Sequence, residues 1–246
     1  MTSLRRLVWG FYAYRVTTSI GFYLPVGVVF LTEVREFSLG AVGTIMAAYL
    51  VAMLAAEVPT GYLADRIGRR TSLAVGNAMA ASAMVGWTVL ETPAQYVALN
   101  AVWATGTTFR SGTASALLYE LLDAQDAADE FAHVSGRATT VHLVASAGSA
   151  VLAGVLVTVD WSLPFLANAA VAAVGLPVVA TLPSSNGGAN AESAEPAFRV
   201  RDALRMLRVQ LARPDVRWFV AYAAAFYGVF QLGMAFEQPA LRAVHV

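Results

Sequence analysis

Four ionisable side chains lie within long apolar runs or at their edges: Arg15, Glu57, Arg110 and Glu120. An ionisable group at membrane depth is costly unless it is paired or faces water. Two cations and two anions therefore predict pairing, Glu57 with Arg110 or Arg15 for example, and a gating or proton-sensitive network. The alternatives are a static salt bridge, or an arginine whose head reaches the interface along its own stem. A second group of charges sits between two apolar runs, in Gly61-Tyr-Leu-Ala-Asp65-Arg66-Ile-Gly68-Arg69-Arg70. Its two glycines permit a tight turn. Asp65 is an anionic acceptor, and Arg66, Arg69 and Arg70 suit lipid phosphates. The stretch predicts a short loop at a membrane surface.

Other chemistries find no support. There is no cysteine, so disulfides and thiolate metal sites are excluded. The three histidines are scattered, and a lone His142 reads as packing and not as a metal ligand. All 16 basic residues are arginine, so no lysine is present to form a retinal Schiff base. Neither GxSxG nor HExxH occurs. The chain is read as no enzyme, with no metal, no cofactor and no nucleic-acid partner.

The elements that position these residues are membrane spans. Hydrophobic residues are 58% of the chain and charged residues 13%, against about 25% charged in soluble domains. The apolar content falls in runs of about 20 residues, the length that crosses a bilayer as a helix. Seven spans are predicted, near 7–31, 39–61, 71–90, 94–117, 134–158, 162–182 and 217–240. The first run is too long for a signal peptide and reads as an uncleaved helix. Short joints at Glu91-Thr92-Pro93 and Asp160-Trp161-Ser162 imply antiparallel neighbours. Residues 118–133 form an acidic connection. Residues 183–216 form a linker whose Val200, Leu204, Leu207 and Leu211 recur at helical spacing among arginines. That pattern suits a basic helix on an anionic leaflet, or an ordinary solvated linker helix.

With the N-terminus cytoplasmic, twelve arginines fall inside and two, Arg35 and Arg242, outside. The positive-inside rule selects that orientation. Thr17, Thr18, Tyr23, Pro25, Asn77 and Asn100 are candidates to line a substrate cavity or to hydrogen-bond between helices. Trp9, Trp87 and Trp103 are candidate interfacial anchors.

The pattern from Gly61 to Arg70 resembles the loop signature of the major facilitator superfamily, a family of secondary carriers. The resemblance implies an all-α integral membrane protein. Its fold would be a six-helix N-terminal half over 1–182, built of two inverted three-helix repeats. A cytoplasmic linker over 183–216 and a seventh helix over 217–246 would begin a second half. In that family the loop latches one half against the other during alternating access, so Asp65 is implied as the latch acceptor and Arg69 or Arg70 as its local partners. Arg110-Ser-Gly112-Thr-Ala-Ser-Ala116 loosely resembles the fourth-helix motif of proton-coupled exporters, with a different Arg-to-Gly spacing. Glu120 stands near where many members carry an acid. Ser146, Ala150 and Gly154 resemble a glycine-rich fifth-helix motif, but without its Gly-Pro, and read as helix packing.

The function implied is an ion- or proton-coupled exporter of small molecules in the plasma membrane. An uptake carrier of the same superfamily is the alternative. Because such carriers hold substrate between two halves, a chain of this length is expected to transport nothing alone. It would need a second half or self-association, and Asp65→Asn should then change little.

Overall fold

The computed structural model describes residues 2–183 and, beyond them, 212–214, 216–218, 222 and 226. The chain divides into two units, Met1–Glu192 and Ser193–Val246. The amphipathic linker helix and most of the seventh span lie outside the described residues. In the second unit, residues 216–218, 222 and 226 are helical, with Trp218, Tyr222 and Phe226 exposed.

Every described element of the first unit is helical. Helix α1, Thr2–Thr17, does not continue through the first apolar run as the sequence predicts. The Thr17 hydroxyl donates to the Tyr14 carbonyl at 2.7 Å and the Thr18 hydroxyl to the Arg15 carbonyl at 2.8 Å. Hydroxyls that take up backbone carbonyls in this way compete with the helical ladder. Pro25, which has no N–H to offer, follows. The chain re-enters helix only at α2, Gly27–Val29, which passes into a π-helical turn, Phe30–Val34. The first span is thus discontinuous, leaving the helix after Thr17 and passing through turns over 21–26.

The unwound segment is held against the bundle by close contact. A Cβ on Gly21 would lie 2.0 Å from the carbonyl oxygen of Ser146. Gly21→Ala is therefore expected to destabilise the protein by about 1–3 kcal/mol through forced backbone shifts, read as a lower thermal midpoint in detergent.

Helix α3, Leu39–Ile67, starts at Ser38, whose side chain accepts from the Ala41 N–H at 3.2 Å. It is longer than the sequence reading allows, because Gly61–Ile67 continues the helix. The expected loop shrinks to Gly68, with φ of 88° and ψ of 148°. Helix α4, Arg69–Val89, begins at the next residue. Helix α5, Pro93–Asp123, opens on a Thr92–Gln95 capping box with Pro93 in the first turn. The acidic connection is thereby shortened at its start, and 118–123 are helical. A 3-10 turn, Ala128–Glu130, leads into α6, Phe131–Val157, and α7 is Leu163–Thr181. Helices α3, α4, α7 and Ala128–Val157 are long and apolar enough to cross a membrane.

Packing follows an internal symmetry. Helix α1 packs on α6 and α7, α3 on α5, α4 on α5 and α7. Exchanging the first span with α5, α3 with α6, and α4 with α7 returns the same set of pairs. This is the relation between two three-helix repeats, and an odd number of spans per repeat inverts the second one.

Two apolar cores result. One, at the arginine-rich end, joins Leu7, Phe11, Leu73, Leu117, Leu118 and Leu122. The other, at the opposite end, is aromatic. Trp87 stacks on Phe165 at 5.3 Å, and Tyr23 meets Trp87 and Trp103 edge-on. Trp87 and Trp103 are thus buried core residues and not interfacial anchors, whereas Trp9 is exposed. Helices α3 and α6 turn Val51, Leu54, Val144, Val151 and Val155 outward. Such faces suit lipid or a second apolar unit, not water.

Candidate functional site

The signature residues do not share a loop. Asp65 closes α3, Gly68 makes the turn, and Arg69 and Arg70 open α4. Asp65 and Arg69 are then four residues apart across the turn, and Arg69 Nη1 lies 3.0 Å from Asp65 Oδ1. The same guanidinium donates through Nε to Glu120 Oε1 at 3.3 Å, on the last turns of α5. One arginine thus ties the ends of three helices. Arg70 donates to the carbonyl of Ala180 near the end of α7, and Arg66 covers the ring of Tyr62 at 4.5 Å. The Asp65 side chain is 64% exposed, so each ion pair contributes no more than about 1 kcal/mol. The arrangement is suited to a contact that forms and breaks, not to a permanent brace.

Glu57, Gly61 and Asp65 succeed one another at four-residue spacing with Leu54 and Val58 beside them, on an exposed stripe of α3. A Cβ on Gly61 would meet nothing within 4 Å. Gly61→Ala is therefore expected to leave stability unchanged or to raise it by about 0.4–1 kcal/mol. A thermal midpoint measured in detergent checks this.

The four intramembrane charges do not form the single network that their sequence positions suggest. Glu57 points out along the exposed stripe, away from Arg15 and Arg110. Glu120 is taken by Arg69. Among the described residues no carboxylate pairs with Arg15 or Arg110. Arg110 is buried at 8% exposure, with Nη1 3.4 Å from Asn77 Oδ1. The reason is rotational. Glu57 and the arginines share a depth in the sequence, but the α3 face that carries Glu57 is not the face packed on α5.

Around the break in the first span the bundle gathers polar groups that the sequence reading did not connect. Ser19 and Ser146 meet at 3.0 Å, and Asn168 donates to the Ser19 carbonyl at 3.4 Å. Nδ1 of His142 lies 3.3 Å from the Thr18 hydroxyl and 3.2 Å from the Arg15 carbonyl. A carbonyl only accepts, so the contact with Arg15 is a hydrogen bond in the tautomer that carries the proton on Nδ1. His142 is then a tie between α6 and the unwound segment, not simple packing. The only hints in the sequence were the Thr-Thr-Ser run and Pro25. Gly154, read as helix packing, faces open space, whereas the Ser146 backbone closely approaches Gly21.

At the opposite end Arg35 donates to the Thr88 carbonyl at 3.0 Å and to the Tyr96 hydroxyl at 3.2 Å. A cavity of about 460 Å³ opens there beside Arg35, Phe30, Asp160 and Trp161. Among the described residues no group of His, Asp and Glu is placed to hold a metal ion.

Comparison with known families agrees with this architecture. The family model described as Major Facilitator Superfamily matches residues 11–243. No curated protein matches the chain. A match over nearly the whole length, on a helical bundle with membrane-length apolar helices, settles the assignment. The chain belongs to the Major Facilitator Superfamily, as a multi-pass membrane protein of a family of secondary transporters of small molecules.

Proposed function

We propose that this chain provides the first six-helix unit of an alternating-access exporter of small molecules, driven by protons or another ion. The observation that carries the reading is Arg69, which joins Asp65 and Glu120 across three helix ends. The exposed α3 stripe beside it leaves Asp65 free to receive a second donor. In this reading that donor comes from a facing six-helix unit, in the same polypeptide or in another copy. The latch closes the arginine-rich end while the other end opens. In this reading that end, with its excess of arginine, faces the cytoplasm, the N-terminus is inside, and the protein sits in the plasma membrane. Residues 183–216 link the two units, and 217–246 begin the second.

The test of coupling and direction uses everted and right-side-out vesicles from cells producing the protein. Export predicts accumulation of a transported solute in everted vesicles, abolished when an ionophore collapses the gradient. Accumulation only in right-side-out vesicles, or insensitivity to ionophore, contradicts the reading.

A further inference from the structure

We propose that the polar cluster at the break in the first span binds a small anionic group, held by the Arg110 guanidinium with Asn77 and Tyr14 as further donors. Arg110 is a buried cation with one long hydrogen bond, and its Nε has no partner. Among the described residues, the ionisable groups acting on it are Tyr14, Tyr49 and Arg15, and none is a carboxylate. A buried charge without a counter-charge is a costly feature, and in a membrane it marks a ligand or ion path.

The neighbours lack the same thing. A guanidinium can only donate, so Arg110 takes the Asn77 oxygen and leaves the amide nitrogen for another acceptor. That nitrogen has no partner, although Asn77 is fully buried. The hydroxyl of Tyr14, also fully buried, has none either. All three unsatisfied groups are donors. Asn77 and Thr17 crowd the backbone at Gly175, where a Cβ would lie 1.8 Å from Asn77 Nδ2 and 2.6 Å from Thr17 Oγ1. Thr17 cannot supply a hydrogen there, because its own goes to the Tyr14 carbonyl. Half-buried Arg15, one residue from Tyr14, adds a second positive charge. Among the described residues these three donors and two cations meet no carboxylate, which defines the complement: a compact anion with several lone pairs. Two sources share that chemistry, the carboxylate of a transported molecule and a free inorganic anion such as chloride. The first deepens the transport reading and rests on it, whereas the second does not.

The experiment measures binding without transport, so its failure is separate from failure of the carrier reading. The purified protein is kept in a zwitterionic buffer without added salt, and its thermal midpoint is followed as sodium chloride, acetate or benzoate is added. The expected result is a saturable rise in the native protein. In Arg110→Gln the starting midpoint is equal or higher and the rise is absent, because an unpaired buried charge has been removed. Arg110→Lys and Asn77→Ala each weaken the apparent affinity at least about tenfold, through lost charge-assisted hydrogen bonds. These two decide the matter if Arg110→Gln does not fold. Chloride acting alone assigns an inorganic anion. Acetate or benzoate acting at lower concentration than chloride assigns a carboxylate-bearing substrate. No rise with any anion in the native protein, or equal rises in the native protein and the variants, overturns the proposal.

Discussion

Replacing Arg69 by glutamine is expected to lower protein-dependent transport about tenfold while the protein remains folded. Arg69 makes two charge-assisted contacts, to Asp65 at 3.0 Å and to Glu120 at 3.3 Å, and both are lost together. Each pair is partly exposed and contributes only about 0.5–1 kcal/mol after screening. Their sum approaches 1.4 kcal/mol, which is tenfold in an equilibrium. A carrier that must populate both end states in turn is sensitive to a bias of that size. A folded domain with several kcal/mol in reserve is not. Arg69→Lys should recover only part of the rate, because an ammonium on a flexible stem lacks the fork that offers Nη1 and Nε to two carboxylates at once. Transport rates in vesicles, beside thermal midpoints of the same variants, check this. Equal loss of folding and transport would make Arg69 a brace and not a latch.

The second large effect belongs to Gly68. Its φ of 88° and ψ of 148° put it at the edge of a region open essentially to glycine alone. Gly68→Ala is expected to destabilise the protein by about 1–3 kcal/mol. Gly68→Asn should not rescue it, although asparagine tolerates the left-handed helical region, because ψ here lies far from that well. Because α3 ends at Ile67 and α4 begins at Arg69, any relaxation at this one residue re-aims Arg69 away from Glu120. Transport should therefore fall further in Gly68→Ala than in Gly61→Ala. Thermal denaturation and vesicle transport of both variants measure the difference.

These contrasts show what could be read in advance. The family resemblance implied Arg69 or Arg70 as the local partner of Asp65, and the structure pairs it with Arg69; the apolar runs predicted the helices of the first unit. The loop was misjudged because Tyr62-Leu-Ala continues a helix as readily as it leaves one, and a single glycine suffices to turn the chain. Glu120 could not be matched to Arg69 from sequence, since they meet only when the end of α5 packs beside the start of α4. The break after Thr17 was hidden by the apolar residues around it. Hydropathy averages over a span, whereas two threonine hydroxyls act on individual carbonyls. Arg15, Glu57 and Arg110 were given a common depth, and depth leaves open which face of each helix turns inward.

The most direct test of the central claim loads vesicles containing the protein with a defined mixture of small molecules. Mass spectrometry then follows the loss of each solute under an imposed proton or sodium gradient. Secondary transport predicts at least one solute that leaves with a saturable, gradient-dependent rate, cut about tenfold by Arg69→Gln. Loss of every solute at the rate of protein-free vesicles, or a rate linear in concentration and indifferent to Arg69, would contradict the account.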